Sequence, residues 1–212
     1  MKWTRRDVLK GLGGLPVAGG IWWAAAANSV LSNKERSEIL EQLNIEPSYP
    51  TSLPSIDGPA IRVGIIGFGI RGEQLCRSLG FATKEWLSGM KKAAEENPKH
   101  TALKDFLDQD KLNVKLVGVC DVYDLRAKKA MNSFKTKDNT FIRYRTHQEM
   151  IQSGNVDAVI IATPDHWHAP MSIDALNNEV HVYVEKPMTH TVEETYRLRE
   201  AADKSSARFM VG

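Results

Sequence analysis

The feature that most constrains the fold of this chain is a glycine-rich turn placed between a strand pattern and a helix pattern. Residues 61–72 read IRVGIIGFGIRG, a short β-branched apolar run that breaks into Gly67, Gly69 and Gly72. Residues 73–79 can then propagate a helix. This order of strand, glycine turn and helix predicts the first unit of a doubly wound α/β sheet.

In a dinucleotide site, the three glycines would have separate physical roles. Gly67 would make the tight turn, Gly69 would let the backbone approach a pyrophosphate, and Gly72 would let the helix pack closely on the strand. First-turn amides of the helix would face the anion. The six residues alone fit a plain structural turn equally well, but the flanking strand and helix favour dinucleotide binding. The predicted pyrophosphate site is Gly67, Phe68, Gly69, Ile70, Arg71 and Gly72.

Strand and helix patterns alternate along the rest of the chain. Strands are predicted at residues 114–120, 141–144, 156–162, 180–184 and 208–211. Helices are predicted at about residues 84–110, broken at Asn97-Pro98, and at 123–134, 147–153, 168–177 and 191–205. Near-continuous apolar strands separated by helices indicate a parallel sheet covered on both faces. We therefore predict a Rossmann-type NAD(P)-binding domain over residues 61–212.

Residues 1–27 resemble a twin-arginine export signal. Arg5 and Arg6 precede a glycine-rich apolar stretch, and the alanines at 24–27 offer small-residue cleavage sites. An uncleaved anchor helix is the alternative, although the apolar run is short for a membrane span. We expect the twin-arginine machinery as a partner and a periplasmic or other extracytoplasmic location. Residues 28–60 are expected to form a connecting arm over the domain surface, with a short helix at 32–43 before a proline-rich segment, and a disordered tether is the alternative.

Composition argues against two other classes of protein. The formal net charge of +2, with no basic stripe interleaved with aromatic residues, gives no indication of a nucleic-acid partner. Cys76 and Cys120 are the two cysteines of the chain and make no disulfide framework. They are interpreted as buried small hydrophobes, within a helix and at the end of a strand.

Asp121 follows the second predicted strand. A carboxylate there can accept hydrogen bonds from both adenosine ribose hydroxyls and would repel a 2′-phosphate, which favours NAD over NADP. The gap from the glycine turn exceeds the usual spacing of about twenty residues because of the segment at 84–110. A helix N-cap is the alternative role of Asp121, and Arg126 nearby leaves NADP binding open.

Two polar blocks follow the fourth and fifth strands, at the sheet edge where ligands bind in such folds. Residues 163–168 read TPDHWH, in which Asp165 could simply cap the next helix. His166 and His168 could hold a metal, but no third ligand stands in a matching pattern, so no metal site is predicted.

The second block is Glu185-Lys186-Pro187, after the fifth strand. Lys186 could orient a substrate hydroxyl and the nicotinamide ribose, or relay a proton. A solvated loop lysine is the alternative.

Together these blocks resemble the amino-terminal half of the glucose-fructose oxidoreductase / inositol dehydrogenase / MocA family (Gfo/Idh/MocA). The resemblance covers residues 61–212. It rests on GFGIRG at 67–72, CDVY at 120–123, ATPDHWH at 162–168 and VYVEKP at 182–187.

The resemblance implies a role for each of these residues. The glycine turn would hold the pyrophosphate of NAD, with NADP less favoured, and Asp121 would hold the adenosine ribose. Lys186 would be the catalytic-site lysine, and Pro187 would follow a cis peptide bond. The residues expected beside the nicotinamide and its ribose are Thr163, Pro164, Trp167, His168, Glu185 and Lys186.

The resemblance also implies a reaction, hydride transfer between NAD(H) and a carbinol carbon of a sugar, cyclitol or related polyol. The rival is an NAD-dependent glycosidase of the same family, which oxidises the sugar, eliminates the aglycone, adds water and reduces the sugar again. Export favours this rival, since a redox-neutral cycle regenerates the cofactor, whereas Lys186 favours the oxidoreductase, since such glycosidases tend to lack that lysine. A non-catalytic dinucleotide-binding module is the third hypothesis.

Members of the family normally continue into a second α/β domain, which supplies the sugar pocket and the remaining acid–base residues. We therefore expect this chain to be a truncated form that binds dinucleotide weakly and does not turn over alone. The full-length parent is expected to be a homo-oligomer.

Overall fold

The computed structural model describes residues 58–137 and 139–212. The predicted export signal and residues 28–57 of the predicted arm lie outside the described residues and stay predictions. The strands are β1 (Ile61–Ile66), β2 (Val114–Cys120), β3 (Ile142–Tyr144), β4 (Ala158–Ile161), β5 (His181–Val184) and β6 (Phe209–Val211). The helices are α1 (Ile70–Ser78), α2 (Lys84–Glu96), α3 (Ala102–Leu107), α4 (Asp124–Phe134), α5 (His147–Gln152), α6 (His168–Asn177) and α7 (Val192–Lys204), with a 3-10 turn at Asp165–Trp167.

All six strands form one parallel sheet. Their order is β3-β2-β1-β4-β5-β6, so the chain winds outward from β1 in both directions. This is the strand order of the doubly wound dinucleotide-binding fold, in which ligands bind where the winding reverses. The predicted fold class is confirmed, and the reversal lies between β1 and β4.

The predicted boundaries differ from the observed ones by a few residues at the ends of the elements. The first helix begins at Ile70, inside the glycine motif, because Gly69 is its extended N-cap. Strand β4 is assigned four residues rather than seven, but backbone bonds from Asp157 to Arg62 and from Ala162 to Ile66 continue its ladder at both ends. The break predicted at Asn97-Pro98 separates α2 from α3.

Apolar side chains pack on both faces of the sheet. One cluster of buried residues includes Ile66, Val159 and Leu176, and the other includes Ile65, Phe68 and Phe134. Two faces covered in this way explain why the strands are apolar throughout rather than alternating. Among the described residues, the helices are all too short or too polar to cross a bilayer.

An aromatic cluster lies beneath the glycine turn. The ring of Phe134 packs edge-on against Phe68, Phe81 and Phe141, with ring centroids 5.7, 6.4 and 5.5 Å away. Phe68 belongs to the turn itself and is fully buried. The aromatic core therefore holds the glycine turn in place. Edge-to-face aromatic contacts of this kind stabilise the fold by more than the burial of their apolar surface alone.

We predict that Phe134→Ala lowers the free energy of unfolding by about 3–5 kcal/mol, because it leaves a cavity among three aromatic neighbours. Urea denaturation followed by circular dichroism measures this loss. Tyr196→Ala is the matched control, since Tyr196 is 67% exposed on α7 and its loss should change stability by no more than about 0.5 kcal/mol. Equal effects of the two substitutions would contradict the role given to the aromatic cluster.

Candidate functional site

The glycine turn joins β1 to α1 at the centre of the sheet edge. Gly67 has φ +89°, and a Cβ atom there would lie 2.6 Å from the carbonyl oxygen of Ala162. A Cβ atom on Gly72 would lie far inside van der Waals contact with the carbonyl oxygen of Gly67. These two positions therefore require glycine, the first for its backbone conformation and both for close packing.

The first turn of α1 is open to an anion. Gly69 is the N-cap and carries no side chain to cap the helix, and a Cβ atom there would come within 3.3 Å of the guanidinium of Arg126. Helix N-termini present N–H groups and a partial positive charge. Bare backbone, helix N-terminus and adjacent arginine together suit a pyrophosphate, so the residues present fit the dinucleotide that the sequence predicts.

Asp121 is buried at the end of β2 and ties two backbone segments together. Its Oδ2 accepts a hydrogen bond from the amide of Phe68 at 2.7 Å, and its Oδ1 accepts one from the amide of Tyr123 at 2.8 Å. The following helix has Tyr123 as its N-cap, so Asp121 does not hold the N-cap position that the alternative gave it. Each carboxylate oxygen keeps a second lone pair that a ribose hydroxyl can donate to.

A cavity of about 400 Å³ lies beside Asp121 at the reversal of the winding. Its walls include Tyr123 and four residues that the sequence did not single out, Arg145, Thr146, His147 and Gln148. Arg126 also lines it and lies over the ring of Tyr123, 5.8 Å from the centroid. The turn after β3 could have been found from sequence, because the carboxyl ends of parallel strands meet at one edge.

The block at residues 163–168 forms the wall of this cavity on the β4 side. Thr163, Pro164 and Trp167 line it, and Trp167 is 45% exposed. A helix cap was one interpretation of Asp165, but the helix that follows, α6, has no side-chain cap. Instead its Oδ2 lies 3.0 Å from Nε2 of His190, and this contact, with further hydrogen bonding, lowers the pKa of the Asp165 carboxyl.

His168 starts α6 and is 2% exposed. Its Nδ1 lies 2.7 Å from the carbonyl oxygen of Pro187, and its Nε2 lies 2.8 Å from that of Thr163. With both ring nitrogens engaged, His168 has none left for a metal. No group of three or more metal-ligating side chains occurs within residues 58–137 and 139–212.

The block at residues 185–187 lies across a second cleft of about 690 Å³. Lys186 is exposed, forms no ion pair with any described residue, and is joined to Pro187 by the cis peptide bond that the resemblance implied. Glu185 is buried, and its Oε1 accepts from Nε of Arg71 at 2.6 Å. This hydrogen bond to Glu185 raises the pKa of the Arg71 guanidinium.

The two cysteines lie where the sequence predicts, Cys76 within α1 and Cys120 at the end of β2, and both are buried. Burial raises the pKa of the Cys76 thiol to about 12 and that of Cys120 to about 11. Since the thiolate is the reactive form, neither cysteine is a candidate nucleophile.

The fold and the site define an NAD-binding Rossmann domain of an oxidoreductase. Residues 61–212 match the model of the Gfo/Idh/MocA family, described as an oxidoreductase family with an NAD-binding Rossmann fold. The chain belongs to this family, so the resemblance found in its sequence is confirmed.

Curated relatives of the chain have glycosidase names. A glycosyl hydrolase family 109 protein of Shewanella baltica is 25% identical over 219 residues, covering 98% of this chain and 38% of the relative. The alpha-N-acetylgalactosaminidase of Shewanella oneidensis is 25% identical over 209 residues, covering 93% and 38%. A family 109 protein of Shewanella woodyi is 38% identical over 66 residues, covering 31% and 14%. The chain thus spans well under half the length of these relatives.

Among solved structures, the chain is similar to myo-inositol 2-dehydrogenase from Lactobacillus plantarum. The TM-score is 0.53 at 23% identity, covering 72% of this chain and 36% of that one. Scyllo-inositol dehydrogenase from Lactobacillus casei, solved with NAD(H) and scyllo-inositol, has the same TM-score at 19% identity and the same coverage. At these identities the likeness establishes the fold alone.

We predict opposite effects for alanine at two helical glycines. Gly72→Ala should cost about 1–3 kcal/mol of stability, because its Cβ overlaps the carbonyl of Gly67. The matched control is Gly89→Ala in α2, where a Cβ atom meets nothing within 4 Å and should stabilise by about 0.5–1 kcal/mol. Thermal unfolding of both variants tests the sign, and a neutral Gly72→Ala would refute the close approach of α1 to β1.

Proposed function

We propose that this domain binds NAD(H) at the glycine turn and that its protein transfers hydride to or from a carbinol carbon of a sugar, cyclitol or related polyol. The observation that carries the proposal is the position of Lys186. It is an exposed, unpaired lysine among the described residues, and it shares one cleft with Arg71, Thr163 and Glu185 at the carboxyl edge of an NAD-binding fold.

The assignment of the cofactor halves follows from the two cavities. The pyrophosphate would lie on the turn from Gly67 to Gly72, and the adenosine ribose against Asp121 in the 400 Å³ cavity. The nicotinamide would then lie toward the cleft of Lys186. A buried carboxylate repels a 2′-phosphate, so we propose NAD as the preferred cofactor, although Arg126 and Arg145 line the same cavity.

Lys186 would act on the substrate oxygen. When bound, NAD(H) supplies or accepts the hydride, and the residues of the chain must position the substrate and handle the proton that leaves or joins its hydroxyl. Lys186 has three N–H donors and forms no ion pair with a described carboxylate, whereas Arg71 is held by Glu185. Lys186 can therefore donate to an alkoxide-like oxygen or relay its proton.

A second candidate is an NAD-dependent glycoside hydrolase. The relatives named as glycosyl hydrolase family 109 proteins and as an alpha-N-acetylgalactosaminidase favour it. The proposed twin-arginine export favours it too, because a cofactor that ends each cycle in its starting state needs no external pool. The presence of Lys186 keeps the oxidoreductase as the first proposal. We also propose that the full-length protein is extracytoplasmic and forms a homo-oligomer.

We predict that the chain binds NAD more tightly than NADP, although weakly in the absence of a second domain. Native mass spectrometry identifies any retained dinucleotide, and calorimetric titration of the cofactor-free chain compares the two cofactors. Gly89→Ala is the control that should bind like the parent chain, whereas Gly72→Ala should bind more weakly. Tighter binding of NADP would contradict the role proposed for Asp121.

We predict that Lys186→Met in the full-length gene product lowers kcat for a polyol substrate by about a hundredfold or more, because a proton-transfer group is removed. The NAD affinity should change little. Steady-state assays that follow NADH absorbance measure the first quantity, and titration measures the second. Lys135→Met, at an exposed position beyond α4, is the control for loss of a surface lysine.

The substrate panel for that experiment should include aryl glycosides without added cofactor. Release of the aryl group, together with inactivity toward free polyols, would replace the oxidoreductase proposal by the glycosidase. Unchanged kcat in Lys186→Met would remove the residue from the proposed chemistry.

A further inference from the structure

The ring of His168 is buried between two hydrogen-bond acceptors. Its Nδ1 lies 2.7 Å from the carbonyl oxygen of Pro187, and its Nε2 lies 2.8 Å from the carbonyl oxygen of Thr163. Both distances are normal for N–H···O hydrogen bonds. A carbonyl oxygen only accepts, and a neutral imidazole has a single N–H. A neutral ring would therefore direct the lone pair of one nitrogen at a carbonyl oxygen, inside the protein.

We propose that His168 is an imidazolium with a proton on each ring nitrogen, and that it holds the Lys186–Pro187 turn against the Thr163 turn as a positioning residue. The charge state rests only on the geometry of the ring. The importance of the position of Lys186 rests on the proposed function.

The hydrogen-bond partners of the His168 ring among the described residues are backbone carbonyls and not carboxylates. Most ionisable groups on the surrounding elements are engaged with one another or with backbone amides: Asp165 with His190, Glu185 with Arg71, His147 with Asp174, and Glu194 with the amides of His190 and Thr191. Lys186 lines the same cleft and adds a positive charge. The two carbonyl dipoles are therefore the groups that stabilise a charged His168 ring.

The cross-link acts where the sheet itself ends. The β4–β5 ladder continues one residue past the end of β5 through the bond from the Glu185 amide to the carbonyl of Ile161, the last residue of β4, at 3.0 Å. Beyond that bond the two chains separate into the turns that carry Thr163 and Lys186. His168 bridges the separated turns, so it limits the positions open to Lys186 in the absence of any ligand.

Nitrogen-15 NMR of the histidine rings tests the charge state in the full chain without NAD. At neutral pH we expect both ring nitrogens of His168 to show a bound, slowly exchanging proton. His181 is the internal control, because its Nδ1 accepts a hydrogen bond from the Arg208 amide at 2.8 Å and must be unprotonated. A His168 ring with one bare nitrogen, like His181, would overturn the proposal.

Amide hydrogen exchange tests the positioning role in His168→Gln and His168→Phe. Glutamine donates from one nitrogen and phenylalanine from none, so neither can span the two carbonyls. We expect exchange of the Glu185 amide to accelerate about tenfold or more, while that of the Val182 amide, which is bonded to the Arg208 carbonyl in the neighbouring β5–β6 ladder, stays unchanged.

Equal acceleration at Glu185 and Val182 would mean general destabilisation and would overturn the positioning role. Failure of the chain to bind NAD would count against the proposed function and would leave both of these measurements interpretable.

Discussion

The close approach of α1 to β1 is the constraint on which the rest of the site depends. A Cβ atom at Gly72 would overlap the carbonyl oxygen of Gly67, and a Cβ atom at Gly67 would lie 2.6 Å from the carbonyl oxygen of Ala162. Glycine at both positions lets a helix begin at the very edge of the sheet. Because β1 lies between β2 and β4, the same approach brings the helix N-terminus beside Asp121 and beside the turn after β4.

Asp121 shows how one buried carboxylate can serve both the fold and a ligand. The amides of Phe68 and Tyr123 each use one of its oxygens, so the carboxylate is oriented, and the glycine turn is held, before any ligand is bound. Such preorganisation lowers the ordering cost of binding. It also means that a substitution at Asp121 would disturb the turn as well as the proposed ribose contact, so loss of affinity there would have two causes.

The fold could be predicted because its signals are local. Apolar runs, helix patterns and the glycine turn each lie within a few residues, and the doubly wound topology then allows few strand orders. The contacts between distant segments could not be predicted. Arg71 and Glu185 were each placed near the cofactor, but their ion pair depends on how far α1 stands from β5. The two groups that His168 contacts are backbone carbonyls, which every residue has, so the residue types in the sequence do not reveal these contacts.

Among the described residues, the charges of the second cleft pair with one another and leave Lys186 without an ion-pair partner. Arg71 is paired with Glu185 and Asp165 with His190, while the ring of His168 is directed at backbone oxygens. A polyol suits the remaining ammonium, because neutral hydroxyl oxygens accept its hydrogen bonds without bringing a second charge into the cleft. The attraction between Lys186 and a developing negative charge is weak while water fills the cleft and strengthens as water is displaced. The proposed chemistry therefore depends on the ligand covering the cleft as much as on the lysine within it.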